Sequence, residues 1–179
     1  MRTLTVRKGT GVNYATGWHT LTVAGAKYGD YNDAKFLDVW FKNYPENFTL
    51  RVYEKRNTAG EEFAIGGVFR FANAGISDAL DGPDGNVVIK LDDSAETLVG
   101  HQLNVYFHKE GEYSRALRQV APTVFKNIVE EFTEADVEYW KGRAEKFYLD
   151  YVKNSTTGDY NGSTESVTTN GATEEVVPF

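Results

Sequence analysis

Apolar and polar side chains alternate along much of the first half of the chain, a pattern that predicts β-strands. The alternation of His19, Leu21 and Val23 with their neighbours predicts a strand that ends at the glycine-containing residues 25–29. A turn with a proline at residues 44–47 joins two further predicted strands, so those two strands are expected to form a hairpin. The strands predicted after the first one cover residues 35–41, 48–55, 86–91 and 102–109.

Two segments have the pattern of helices. Thr133 and Asp136 approximate a capping box at the start of residues 133–153. A helix is also expected over residues 61–79, although each glycine of its Gly66-Gly67 pair costs about 1 kcal/mol relative to alanine. Several short strands with a C-terminal helix predict a mainly β or α+β fold, a small β-barrel with a helix. The second helix has an apolar stripe at helical spacing, formed by Val137, Trp140, Ala144, Phe147 and Tyr151.

The composition changes after residue 153. Residues 154–173 consist mostly of Ser, Thr, Asn and Gly, which predicts a flexible, disordered linker because such a segment buries little apolar surface. Residues 174–179 form a short acidic and apolar tip. The predicted organisation is therefore one domain over residues 1–153, then a linker and a tip.

The residues offer no catalytic constellation. Cysteine is absent, and His19, His101 and His108 have no metal-ligand spacing, so we expect no enzyme, no cofactor and no metal site. The N-terminus lacks the apolar run of a signal peptide, and no stretch approaches 18 apolar residues. These features predict a cytoplasmic protein without a membrane partner.

Charge is unevenly distributed along the chain. Residues 1–60 carry nine Lys/Arg against five Asp/Glu, a net charge of +4, although the whole chain carries −7. Residues 61–153 carry ten basic and seventeen acidic side chains, and residues 154–179 carry four acids and no base. A polyanion responds to the local potential, so the first third is the candidate surface for one.

Aromatic and basic side chains share one predicted face in that first third. If Leu37 and its alternate neighbours face the core, the opposite face carries aromatic rings that can stack on bases and cations that can follow phosphates. An alternative is that a helix covers this face with Trp140 and Phe147, which makes its rings a second core layer. The strands alone leave both interpretations open. The candidate DNA-binding residues are Phe36, Trp40, Lys42, Arg51, Tyr53 and Lys55.

The end of the sequence resembles bacterial and phage single-stranded DNA-binding proteins, which end in an acidic stretch, an apolar residue, Pro and Phe. Residues 28–39 and 62–73 are similar to phage-encoded members of this group. Here only two acids stand beside the tip, fewer than is typical of the group. The matching residues are Glu174, Glu175, Val177, Pro178 and Phe179.

This resemblance implies an oligonucleotide-binding (OB-like) β-barrel. Its expected function is to coat single-stranded DNA, independently of sequence, in phage replication or recombination. The tip would recruit replication or recombination proteins in the cytoplasm of an infected bacterial host, and a homo-oligomer is compatible with this function. The competing class is a phage structural or assembly adaptor that binds protein through the aromatic face. A helix over that face favours the adaptor, and an open face favours DNA.

Overall fold

The computed structural model describes residues 2–5 and 14–156. Its elements alternate between short strands and two α-helices, and a π-helical segment (Tyr148–Lys153) and a 3₁₀ turn (Asn154–Thr156) follow the last helix. The order is β1 (Gly17–Tyr31), β2 (Ala34–Phe41), β3 (Leu50–Tyr53), α1 (Ala64–Phe71), β4 (Ile76–Asp81), β5 (Val87–Leu91), β6 (Gln102–Glu110), β7 (Tyr113–Ala116), β8 (Phe125–Lys126), β9 (Glu131–Phe132) and α2 (Glu134–Phe147).

The largest sheet has five antiparallel strands in the order β3-β2-β1-β6-β7. Strand β1 is shared between two partners, because residues 17–22 pair with β6 and residues 23–31 pair with β2. The register shifts between Val23 and Gly25, at the point where β1 changes partner. Such an irregularity increases local twist and bends the sheet around the core. The sheet order ends at β3 and β7, so the sheet forms no closed barrel within the described residues.

The core lies on the inner face of this sheet and is covered by α1. Leu37 and Val39 of β2 are fully buried, as are Leu103, Val105 and Phe107 of β6. The hairpin predicted for β2 and β3 is confirmed, with Leu37 opposite Val52 and Val39 opposite Leu50. The mainly β fold with a C-terminal helix is also confirmed.

The prediction that the first strand ends at residues 25–29 is wrong. Strand β1 continues through Gly25 and Gly29 to Tyr31. These two glycines lie opposite β2, where the rings of Trp40 and Phe36 lie over them. Glycine therefore occurs here because a neighbouring ring covers the backbone closely, a reason that the pattern of one strand does not reveal.

The helix predicted over residues 61–79 is shorter than expected and covers only residues 64–71. The carboxylate of Glu62 accepts hydrogen bonds from the backbone N–H groups of Ala64, Ile65 and Gly66, which satisfies the free donors of the first turn. The helix ends where Asn73, with a φ of 53°, adopts the left-handed conformation and the N–H of Ala74 donates to the carbonyl of Phe69. The next element, β4, begins at Ile76. The two-stranded ribbon β4–β5 stands apart from the main sheet.

The capping box predicted for α2 is confirmed. Thr133 Oγ1 accepts from the N–H of Asp136, whose carboxylate accepts from the N–H of Thr133. The predicted stripe holds for Val137 and Ala144, which are buried, but not for Tyr151, which is 68% exposed. The reason is the π-helical segment that begins at Tyr148, because its wider turns rotate later side chains away from the stripe.

Candidate nucleic-acid interface

The outer face of the β2–β3 hairpin carries most of the candidate residues. Phe36 lies opposite Tyr53, and Asp38 lies opposite Arg51. Side chains alternate between faces along a strand, so Trp40 projects on the same side as Phe36. The structure thus brings four of the candidates, Phe36, Trp40, Arg51 and Tyr53, onto one surface, which we call the hairpin face.

Phe36 is not exposed on the hairpin face, which corrects the expectation. Its side chain is only 8% exposed, because Arg51 stacks its guanidinium 3.8 Å above the ring centroid. The edge of the Tyr53 ring packs against it at 5.6 Å between centroids, and the backbone of Gly29 lies beneath it. The Phe36 ring therefore lies beneath Arg51 and packs against Tyr53. A base cannot stack on the Phe36 ring unless Arg51 moves.

Arg51 is held in place by a two-pronged ion pair. Its Nε and Nη2 donate to the two carboxylate oxygens of Asp38 at 2.7 and 2.8 Å. This hydrogen-bonded partner raises the pKa of Arg51 far above its ordinary value, so the guanidinium stays charged. The Asp38 carboxylate nevertheless neutralises that charge locally, and this reduces what Arg51 offers to a phosphate.

Trp40 is half-buried and fixed in orientation. Its Nε1 donates to the backbone carbonyl of Glu46 at 2.9 Å, which ties the indole to the connection between β2 and β3. A hypothetical Cβ on Gly25 would lie 3.9 Å from Cε3 of the indole, so the ring also contacts β1. An aromatic ring held in this way presents a surface without losing much rotamer freedom on binding.

Helix α2 contacts α1 and β1, and its last residue, Phe147, lines a pocket together with Tyr53. Its Trp140 ring contacts Phe71 at 5.0 Å, and Trp18 Nε1 donates to Glu145 at 2.7 Å. Tyr148, just after α2, packs against Tyr106 on the outer side of β6. On the hairpin face the layer above Phe36 is the Arg51 side chain, which remains 46% exposed. The predicted cover of Trp140 and Phe147 is therefore not what buries Phe36.

Two further cations border the hairpin face. Lys42 follows β2 and Lys55 follows β3, and both are exposed. Neither side chain forms an ion pair within the described residues. The pKa of Lys55 is lowered, first by partial burial and then by the nearby positive charge of Arg118. Arg118 is a residue that the sequence pattern missed, because it is a single cation that lies far along the chain after β7.

A groove of about 620 Å³ near the hairpin face is lined by side chains of both charges. Lys35 and Arg56 line it together with four acids, and Arg56 is already paired with Glu54. Tyr28 donates its hydroxyl hydrogen to the carbonyl of Asp93, and burial followed by nearby Asp93 and Glu62 raises the pKa of that hydroxyl to about 12. The excess of acids makes this groove a poor site for a polyanion.

The histidines and acids do not assemble into a metal site in the described part of the chain. His19 stacks on Phe107 at 4.0 Å, and its Nε2 lies 2.7 Å from the carbonyl of Ala15. His108 is buried beside Tyr148, and burial lowers its pKa. Both rings therefore have packing roles. Across residues 2–5 and 14–156, no helix has the length and apolar character needed to span a membrane.

The tip residues lie outside the described residues, as does most of the predicted linker. This applies to Glu174, Glu175, Val177, Pro178 and Phe179. Comparison with known proteins gives no match to any family model, to any curated protein or to any solved structure.

Proposed function

We propose that this protein binds single-stranded DNA without catalysing a reaction, and that the hairpin face is the binding surface. The observation that carries the proposal is that Trp40 and Tyr53 lie on one sheet face, both partly exposed, with the unpaired cations Lys42 and Lys55 at the ends of the same two strands. Bases stack on such rings for roughly 1–3 kcal/mol each, and lysines follow the phosphates. Because every base has a π face, binding would be independent of sequence.

The arrangement of the strands supports an open form of the OB architecture. An OB-fold is a partly open five-stranded barrel that binds oligonucleotides across its second and third strands. Here a five-stranded sheet bends around a helix-covered core, its first strand is shared between two partners, and the candidate rings lie on β2 and β3. If the protein has this architecture, the candidate surface on β2 and β3 corresponds to the place where OB-folds bind their ligands.

The tip and residues 28–39 and 62–73 resemble phage-encoded single-stranded DNA-binding proteins, and this resemblance suggests a biological setting for the proposed function. We propose that the protein is phage-encoded, works in the cytoplasm of an infected bacterium, and coats single strands during replication or recombination. Residues 174–179 would recruit other proteins of those processes, and residues 154–173 would let them search space around the bound domain.

A titration of fluorescently labelled oligo(dT) tests the proposal. Wild type should bind it more tightly than duplex of the same length, with strong salt dependence. Trp40→Ala and Tyr53→Ala should each weaken binding by about 1–3 kcal/mol. Tyr113→Ala is the matched control, because that tyrosine is 54% exposed on β7 at the far edge of the sheet. Equal affinity for duplex and single strand would contradict the proposal.

One observation favours the adaptor function instead. The β4–β5 ribbon exposes the aliphatic side chains of Leu80, Val87 and Val88, a small apolar surface of the kind that contacts proteins. The same titration separates the two functions. An absence of binding to oligo(dT) at low salt would favour an adaptor.

A further inference from the structure

A small apolar pocket lies at the free edge of β3, between that strand, α1, the chain that follows β7 and the end of α2. Its volume is about 80 Å³, enough for one ring-sized group. Tyr53 borders both this pocket and the hairpin face, since its ring packs on Phe36. A strand lying on the hairpin face would reach the pocket by passing Tyr53. The apolar walls are formed by Val52, Phe63, Val68, Phe71, Val120 and Phe147.

The residues that line this pocket include two cations and no carboxylate. Lys55 and Arg118 both line it, and their proximity contributes to the lowered pKa of Lys55. Neither forms an ion pair with any residue of the described ranges. Like charges repel, so two cations held side by side favour an anion between them. A phosphate group has that charge and the acceptor oxygens for both side chains.

One residue that lines the pocket has an unused hydrogen-bond acceptor. This residue is Gln119, and its Oε1 atom is buried without a hydrogen-bond partner. It is the one buried side-chain nitrogen or oxygen so left among the described residues. Buried polar atoms are nearly always paired in native proteins. A rotation of the Gln119 side chain into the pocket would let this acceptor receive an N–H from a bound ligand.

We propose that this pocket takes one base of the bound single strand, with an adjacent phosphate between Lys55 and Arg118. The Gln119 side chain turns into the pocket on binding, and its Oε1 accepts a hydrogen bond from an N–H of the base. The inference rests on the proposed function and names where on the protein one nucleotide is held. All four bases carry an N–H group on their pairing edge, so the contact is compatible with binding to any sequence. The small volume favours single-ring pyrimidines over purines.

The test separates the base contact from the phosphate contact by using two oligonucleotides of equal length. One is oligo(dT), and the other is the same backbone with every base removed. Gln119→Leu removes the acceptor and should weaken binding to oligo(dT) by about tenfold, the effect of one lost hydrogen bond, while leaving the abasic strand unchanged. Lys55→Ala and Arg118→Ala should weaken binding to both strands and lower the salt slope by about 0.7 each.

Lys90→Ala is the control for the two cation variants, because Lys90 is exposed on the separate β4–β5 ribbon. Thermal melting checks the fold, and Gln119→Leu should not lower the melting temperature because Oε1 has no partner to lose. If Gln119→Leu does unfold the protein, Gln119→Met provides the same test with a flexible side chain.

The outcomes distinguish a failure of the pocket proposal from a failure of the proposed function. If Gln119→Leu binds oligo(dT) as wild type does, the base is not in the pocket and the inference fails, although the proposed function stands. If wild type binds neither oligonucleotide, the proposed function itself fails. If Arg118→Ala tightens binding to DNA, the pocket holds the acidic segment 174–179 instead of a nucleotide, and the inference is overturned.

Discussion

Asp38 competes with DNA for the Arg51 guanidinium, which makes Asp38→Asn the most informative substitution on the hairpin face. In the free protein both carboxylate oxygens of Asp38 accept from Arg51, at 2.7 and 2.8 Å. Asparagine has nearly the same shape but offers one neutral acceptor, so the guanidinium would keep its place over Phe36 with its charge no longer neutralised. If DNA binds this face, the variant gains one cation for a phosphate.

The size of this gain follows from counterion release. Each phosphate neutralised on a single strand adds about 0.7 to the slope of log affinity against log salt. A fourfold rise in salt would then cost the variant about 2.6-fold more affinity than it costs wild type. The loss of stability should be small, about 1 kcal/mol at most, because Arg51 is 46% exposed and solvent screens the pair.

The assay is an anisotropy titration of labelled oligo(dT) at several salt concentrations. We expect tighter binding at low salt together with the steeper slope. Asp33→Asn is the control, because it removes the same charge from an exposed residue in the β1–β2 turn without freeing a cation. An Asp38→Asn slope equal to that of Asp33→Asn would refute the idea that Arg51 contacts phosphate on the hairpin face.

Two further predictions concern stability. Gly29→Ala would place a Cβ 2.5 Å from the Phe36 ring and should lower the free energy of unfolding by about 1–3 kcal/mol in urea titrations. Gly25→Ala, whose Cβ would meet its nearest neighbour at 3.9 Å, should cost less; equal costs would show that Phe36 does not lie over Gly29. The pKa of His108 is lowered by burial, so its contribution to stability is complete above its ordinary pKa of about 6.5 and is lost as pH falls below that value toward its folded pKa. His108→Gln should therefore flatten the dependence of unfolding free energy on pH just below about 6.5, and an unchanged dependence would contradict the burial argument.

The period-two pattern predicted the orientation of β2 and β3 correctly because every inward residue of that hairpin is a large aliphatic or aromatic side chain. The pattern could not predict the fate of Phe36. An outward aromatic residue looks the same in the sequence whether it faces solvent or lies beneath a cation. What buries Phe36 is the cross-strand position of Arg51, and that position depends on the register of the hairpin.

The pocket at the edge of β3 could not be predicted from the sequence, for a different reason. Lys55 and Arg118 are more than 60 residues apart in the chain. The chain after β7 remains beside β6, where Ala121 exchanges two backbone hydrogen bonds with Asn104. No local signal marks a lone arginine or glutamine as a binding residue, and only the path of the backbone brings Arg118 and Gln119 to β3.

The buried position of Phe36 also determines which rings can contribute to stacking. Before a base could reach Phe36, the Arg51 guanidinium would have to leave it, at a cost of about 0.5–1 kcal/mol for the exposed cation–π contact. If the ion pair with Asp38 were also broken, the cost would rise by up to about 1 kcal/mol. These costs offset most of the roughly 1–3 kcal/mol that a stacked base contributes. Among the described residues no cation lies over the ring of Trp40 or of Tyr53, so net stacking energy on the hairpin face must come from these two rings, with Phe36 fixing the positions of Tyr53 and Arg51.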